Sequence, residues 1–348
     1  MFKSKTLFIV GAGASQEIGL PTGTELKKAI AEKLDISYTL GNPYGSVTGD
    51  PAIARAISEH AQRSNLNMYT ILGDAWKIRD AMPQAISIDN FIDAHSTSAG
   101  IVLCGKLAIA QAIIEAEKKS KLYSEPANGK NEQFDHAQIQ ESWYLPFFQL
   151  LTENVRREDA PDLFENVSFM CFNYDRCIEH YLYHAIHNYY SIQDVAQLMQ
   201  SLKISHPYGV VGALPWQDRR THVSFGGLLR NADLIDVANE IRTFTEQVEA
   251  NDPALALISQ QVQEAETIVF LGFGYHALNM DLLSIEKTGS VRRVFGTAKG
   301  ISDTDVKTVI LPETARTLRI SNHGSIHINN KLKCCELFGE YWHTLSRV

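Results

Sequence analysis

Four short segments combine residue types that can hold phosphates and orient a reacting atom. Gly11-Ala12-Gly13-Ala14-Ser15, continued by Pro21-Thr22, joins glycines that let backbone amides approach a ligand to small hydroxyl side chains. Gly272-Phe273-Gly274, followed by Asn279, repeats the theme late in the chain. Asn173-Tyr174-Asp175 adds a carboxamide and a carboxylate, and Ser205-His206-Pro207-Tyr208-Gly209 adds an imidazole and a phenol. Imidazole accepts a proton near neutral pH, whereas a phenol is a poor base there. Alone, Gly11-x-Gly13 carries little specificity, because Gln16 stands where the dinucleotide fingerprint has its third glycine or alanine. Each candidate also has a plain structural reading: Asn173 can end a strand, Asp175 can cap a helix, and Ser15 and Thr22 can bond local backbone.

Elements must carry these groups to one place. Thr6 to Val10 reads as a buried strand running into the first glycine turn, and Thr22 and Glu25 have capping-box spacing before a helix with Leu26, Ala29, Ile30 and Leu34 on one face. Val167 to Phe172 is a second apolar strand that ends on Asn173, before a helix running toward His187. Further strands are expected at Thr267 to Leu271, Arg292 to Phe295 and Val306 to Leu311, between helix-compatible segments, one of them roughly Leu234 to Gln263. Lys331 to Leu345 reads as a closing amphipathic helix. The alternation predicts an α/β fold with a doubly wound, Rossmann-like parallel sheet, whose ligands sit outside the carboxyl ends of the strands.

Asp35 to Trp143 interrupts this pattern with segments such as Pro51 to Ser64 and Gly100 to Lys119, and reads as a mainly helical insertion between residues 1–34 and 144–348. Its last part, Ser120 to Gln140, is expected as an exposed loop. The 348 residues are 45% apolar and 21% charged, ordinary for a folded globular chain. A net charge of -8 argues against direct nucleic-acid binding. Five cysteines without a C-x-x-C pair indicate neither a disulfide framework nor a zinc ribbon, and fit a cytoplasmic protein. Lys3, Lys5 and the apolar run to Val10 imitate a signal peptide, but that run is very short and leads straight into the glycine turn. The apolar stretch Ile101 to Ile114 contains Lys106 and Gln111 and reads as too short to cross a bilayer, so no membrane span is expected.

Gly11-Ala12-Gly13-Ala14-Ser15 with Gly19-Leu20-Pro21-Thr22 resembles the cofactor loop of the sirtuin superfamily. Phe172-Asn173-Tyr174-Asp175 resembles the sirtuin segment whose asparagine lies beside the nicotinamide ribose, and Ile268 to Tyr275 the strand and glycine turn that close over the cofactor. Val294-Phe295-Gly296-Thr297-Ala298 is similar to a late strand near the adenosine end, which brings Thr297 into the candidate set. Ser87-Ile88-Asp89-Asn90-Phe91-Ile92 resembles a segment of bacterial sirtuin-like defence proteins. The departures are equally informative: Pro21 is followed by Thr22-Gly23-Thr24 rather than Asp-Phe-Arg, and no four-cysteine zinc module can be built. The pattern is more similar to sirtuin-like NAD hydrolases of antiphage systems than to peptide deacylases.

This resemblance implies NAD as substrate without a metal, a homo-oligomer, and an ATPase or phage-sensing partner. In such chemistry nicotinamide leaves as a neutral group and the ribose carbon gains oxocarbenium character, so an oriented nucleophile matters most. Asn173 would hold the water and His206 would accept a proton near the ribose, while Tyr208 occupies the place where sirtuins typically carry histidine before the glycine. Two other readings remain: a sensing subunit that binds NAD or a derivative without turnover, and a deacylase or ADP-ribosyl transferase. His180, His184 and His187 have metal-ligand spacing, but Tyr181 and Tyr183 beside them favour a packed or partly exposed face; His323 and His327 receive the same reading. Asp89 and Asp93 read as a solvated helix face.

Overall fold

The computed structural model describes residues 2–38, 46–125, 135–218, 221–227, 229, 231–243, 253–285 and 289–347. Its centre is a six-stranded sheet: β1 Thr6–Val10, β2 Val167–Cys171, β3 Lys203–Ser205, β4 Thr267–Leu271, β5 Arg293–Thr297 and β6 Ile326–Asn329. All pairings are parallel, in the order β3-β2-β1-β4-β5-β6. That is the doubly wound, Rossmann-like order, which reverses between β1 and β4. The register sets Val10 level with Cys171 on one side and Leu271 on the other. The chain therefore leaves these three strands at one height, as Gly11, Phe172 and Gly272.

The unbroken apolar character of β1 follows from burial on both faces. Leu7 and Ile9 point into one core, Phe8 and Val10 into the other. Helices in the first half of the chain are α1 Ala12–Gln16, α2 Gly23–Leu34, α3 Pro51–Arg63, α4 Met68–Ala81, α5 Ile88–Ala94, α6 Ala99–Lys119, α7 His136–Ile139 and α8 Tyr144–Thr152. In the second half they are α9 Cys177–Tyr190, α10 Val195–Met199, α11 Asn231–Glu240, α12 Pro253–Glu264, α13 Ala277–Leu282, α14 Leu311–Thr317 and α15 Cys334–Arg347. The Leu7 and Ile9 core takes in Ile30 of α2, Ile57 of α3, Ile71 of α4, Ile92 of α5, Leu107 of α6 and Val237 of α11. On the opposite face the Phe8 ring meets Phe147 of α8 at 5.3 Å, Phe169 of β2 at 5.3 Å and Phe338 of α15 at 6.1 Å. Each such fully buried ring contributes roughly 1.5–3 kcal/mol through lost water contact.

Several expectations are corrected. Val306 to Leu311 is helical, not a strand: a π-turn Val306–Ile310 links the turn Asp303–Asp305 to α14. Val306 and Ile310, four apart, are buried while Val309 is exposed, and the Ser302 hydroxyl caps the turn by accepting the Asp305 amide at 3.0 Å. The short strands β3 and β6 fill the sheet edges instead, and β5 begins at Arg293. Leu234 to Gln263 is not one helix, because α11 ends at Glu240 and Ile241 bridges to Gly209; residues 244–252 lie outside the described set. Ser120 to Gln140 contains α7, with 126–134 outside the described residues. Within Asp35 to Trp143 the strands Ser37–Tyr38 and Ser46–Thr48 pair antiparallel. Finally, α6 spans 21 residues, long and apolar enough to cross a bilayer by those criteria alone; 67% of its apolar window is buried inside the protein, against α2, α4 and α11.

Candidate active site

The glycine turns after β1 and β4 touch each other. Gly11 N–H donates to the Leu271 carbonyl (2.9 Å) and Gly13 N–H to the Gly272 carbonyl (3.0 Å). A Cβ on Gly11 would stand 2.6 Å from the Gly272 oxygen, and one on Gly272, whose φ is +56°, would stand 2.0 Å from the Ala14 nitrogen. These glycines are thus required by the approach of one loop to the other, before any ligand is considered. Thr297 does not line the cavity: it is buried and accepts the Gly272 amide on Oγ1 at 2.9 Å, which holds the second turn in place.

A cavity of about 470 Å³ opens beside this junction, at the reversal point of the sheet. Gly11, Ala12, Gly13, Thr22, Gly272, Phe273, Gly274, Asn279, Asn173 and Tyr208 line it, so most of the sequence candidates converge. Ala14, Ser15, Pro21, Asp175, Thr297 and His206 do not line it. Thr22 donates both its amide (2.7 Å) and its hydroxyl (2.8 Å) to Glu25, the local capping role.

Asn173 is positioned by a buried relay. Its Nδ2 donates to Ser15 Oγ (2.9 Å), Ser15 donates to Asp175 Oδ2 (2.9 Å), and Asp175 Oδ1 accepts the Cys177 amide (3.2 Å) at the start of α9. With its nitrogen engaged, the carboxamide has its oxygen to offer the cavity. Asp175 is not itself the N-cap, which is Arg176, but it accepts the first amide of α9 from one residue before the cap, and burial pushes its carboxyl up against the opposing hydrogen bonds from Cys177 and Ser15.

The end of β3 separates His206 from Tyr208. Strand β3 stops at Ser205, and Gly209 N–H returns to the His206 carbonyl at 3.0 Å; Gly209 has φ +74°, and a Cβ there would strike the Glu240 carbonyl, so both the backbone and the space require glycine. This turn sends the two side chains apart. Tyr208 faces the cavity and donates to Asn279 Oδ1 at 2.6 Å, while burial pushes its phenol up. His206 turns behind the wall, with Nε2 at 3.0 Å from Glu179 Oε1 and Nδ1 at 3.3 Å from the Asn173 carbonyl. Burial is the largest single influence and would lower its pKa, but the charge and hydrogen bond of Glu179, with the Asn173 carbonyl and the Asp175 charge, together outweigh it and raise the pKa. Glu179 is held low by the same pair despite its own burial.

The opposite wall comes from α5, and corrects the reading of Asp89 and Asp93 as a solvated face: both line the cavity and are half-buried. Asp89 accepts the Tyr174 hydroxyl, and burial raises its carboxyl against that bond. Ser87 caps α5 by accepting the Asn90 amide at 3.0 Å. His276, at the N-cap of α13, also lines the cavity and was not singled out in the sequence; its place two residues after the Gly272-Phe273-Gly274 turn was the available signal. The histidine triplet of α9 is engaged otherwise: His180 stacks on Phe225 at 3.9 Å and reaches the Leu122 carbonyl at 3.2 Å, and His187 Nδ1 lies 2.7 Å from the Ile192 carbonyl. His327 stacks on Phe295 at 5.6 Å.

Fold and site together define a Rossmann-like α/β protein with a ligand-sized cavity at the sheet's switch point. No protein-family model matches the chain, and no curated protein matches it either.

Proposed function

We propose that this cavity binds NAD and that the protein is an NAD glycohydrolase, releasing nicotinamide and ADP-ribose. The observation that supports this most is Asn173: an uncharged carboxamide at a β-strand end, oriented by Ser15, in a cavity bordered by both glycine turns. The cavity volume of about 470 Å³ falls in the range of small-molecule sites, roughly 300–1,000 Å³. The aromatic pair Phe172 and Phe273, 5.1 Å apart, gives an apolar surface for a flat ring, and Asn279 and Asn173 give polar contacts. In this reading the Asn173 oxygen accepts a hydrogen bond from the attacking water, which aims the water's lone pair at the ribose carbon. The sirtuin-like motifs extend the proposal to a cytoplasmic antiphage effector that depletes NAD, assembles with copies of itself and answers to an ATPase or phage-sensing partner.

Product analysis after incubation with NAD, with and without candidate activators, tests this. Asn173→Ala should lose about 100-fold in nicotinamide release while NAD still binds. Unchanged release in the folded variant would remove Asn173 from the reaction.

One observation favours a second reading. His206 is committed to Glu179, outside the cavity, and Tyr208 stands in its place. A subunit that binds NAD without cleaving it would tolerate that arrangement, and tight binding with no nicotinamide release under any activation would support it.

A further inference from the structure

Hydrolysis at the ribose needs an acceptor for the water proton, and neither residue after β3 offers one. His206 has both ring nitrogens within reach of Glu179 and a backbone carbonyl behind the wall, and burial pushes the Tyr208 phenol up. Among the described residues, one imidazole lines the cavity: that of His276. It stands on the loop leaving β4, at the sheet's reversal point. Gly274 makes room for it. A Cβ on Gly274 would lie 2.9 Å from His276 Nε2 and 3.0 Å from Cδ2, so the imidazole edge is seated on the glycine turn that borders the site. That contact gives the third glycine-turn position a purpose which the loop-to-loop approach of Gly11, Gly13 and Gly272 does not explain.

The surroundings suit a proton acceptor. Asp89 and Asp93 line the same cavity from α5, as do Tyr208 and Asn279. Burial keeps the Asp89 carboxyl raised, and after the Tyr174 hydroxyl bond His276 is among the groups that pull against it. A carboxylate beside an imidazole stabilises the imidazolium that forms when the ring takes a proton. The ring is also exposed, so a proton can pass on to solvent.

Resting on the reading of the cavity as an NAD site, we propose that His276 is the catalytic proton acceptor, supplied by the β4 loop instead of the β3 end. Water oriented by Asn173 attacks C1′ of the nicotinamide ribose. The C1′–N bond breaks with its electron pair leaving on nicotinamide, which becomes neutral. The water proton passes to His276 and then to bulk solvent. The sum is NAD and water giving nicotinamide, ADP-ribose and one proton.

The test uses the full chain with NAD itself as probe. Calorimetry measures NAD binding, NMR follows the His276 ring resonances with and without NAD, and chromatography follows nicotinamide. NAD should shift the His276 resonances. His276→Ala should keep NAD affinity within about threefold, lose about 100-fold in nicotinamide release, and recover part of it with added imidazole. Gly274→Ala, which displaces the ring without removing it, should show a smaller loss of the same kind. NAD that binds while the His276 resonances stay unmoved, or a His276→Ala protein that releases nicotinamide at the wild-type rate, overturns the assignment. Wild-type protein that binds no NAD at all overturns the reading of the cavity instead.

Discussion

Gly272 carries two constraints that a side chain cannot satisfy together, a left-handed φ of +56° and a backbone neighbour 2.0 Å from where its Cβ would be. Gly272→Ala should therefore destabilise the protein by about 2 kcal/mol or more, read as a lowered urea midpoint. A midpoint within error of wild type would mean that the two turns can separate freely. His206 poses a different residue-scale question, because removing its ring leaves the Glu179 carboxylate buried without its partner. His206→Ala should cost about 3–5 kcal/mol of stability. Tyr208→Phe, which removes one hydrogen bond to Asn279, should cost only about 1 kcal/mol. Denaturant curves for the two variants distinguish these roles; equal midpoints would take His206 out of the framework.

At the scale of elements, the fold is tied together by ion pairs hidden from water. Arg176, in front of α9, donates Nε (3.1 Å) and Nη2 (2.5 Å) to Glu117 of α6, and Nη1 to the Val223 carbonyl (2.6 Å). Glu117 also accepts the Gly226 amide at 3.1 Å, so one carboxylate joins α6, the start of α9 and the loop around Val223. Glu117→Ala should cost about 3–5 kcal/mol, since it strands the buried guanidinium. A loss under about 1 kcal/mol by chemical denaturation would show that water reaches the pair. The His206–Glu179 pair adds a pH dependence. The folded pKa of His206 is raised above 6.5, so its contribution is fully present below that value and is lost as pH rises through the folded pKa. The folded pKa of Glu179 is lowered below 4.5, so its contribution is present above that value and is lost as pH falls through the folded pKa. The stability difference between wild type and His206→Gln should thus be largest between these limits and shrink toward alkaline pH. A difference that stays constant up to pH 9 would contradict the pairing.

For the molecule as a whole, the segment from Asp35 to Trp143 does more than its sequence suggests. Helices α3 to α6 share one buried cluster with Leu7, Ile9, Ile268 and Phe270, and α5 forms a wall of the cavity. Replacing residues 51–119 by a short linker should leave that sheet face open to water and prevent folding, seen as insoluble or non-cooperative material. A soluble, cooperatively melting product would show that the sheet is covered without these helices. The same segment exposes Leu66 and Tyr69, at 54% and 67%. If it also governs assembly, a Leu66→Ser, Tyr69→Ser protein should show a lower mass by light scattering; an unchanged mass would leave those residues as ordinary surface.

Much of this architecture is legible in the chain itself. The apolar runs of β1, β2 and β4 and the glycines that end β1 and β4 are local features, and a parallel sheet buried on both faces makes them conspicuous. The short edge strands β3 and β6 lack such a run, and β-branched residues at Val306 to Leu311 imitated one until tertiary packing showed their helical spacing. Which candidates meet in the cavity was not local at all. Asn173 reached it because β2 ends level with β1, whereas His206 was turned away by a reversal closed between Gly209 and His206. Asp89 and Asp93 carry no motif of their own and became wall residues only when α5 packed beside Tyr174. Spacing along the chain determined the strands and their turns. The identity of the groups that face one another depended on register and helix packing, which act between residues far apart in sequence.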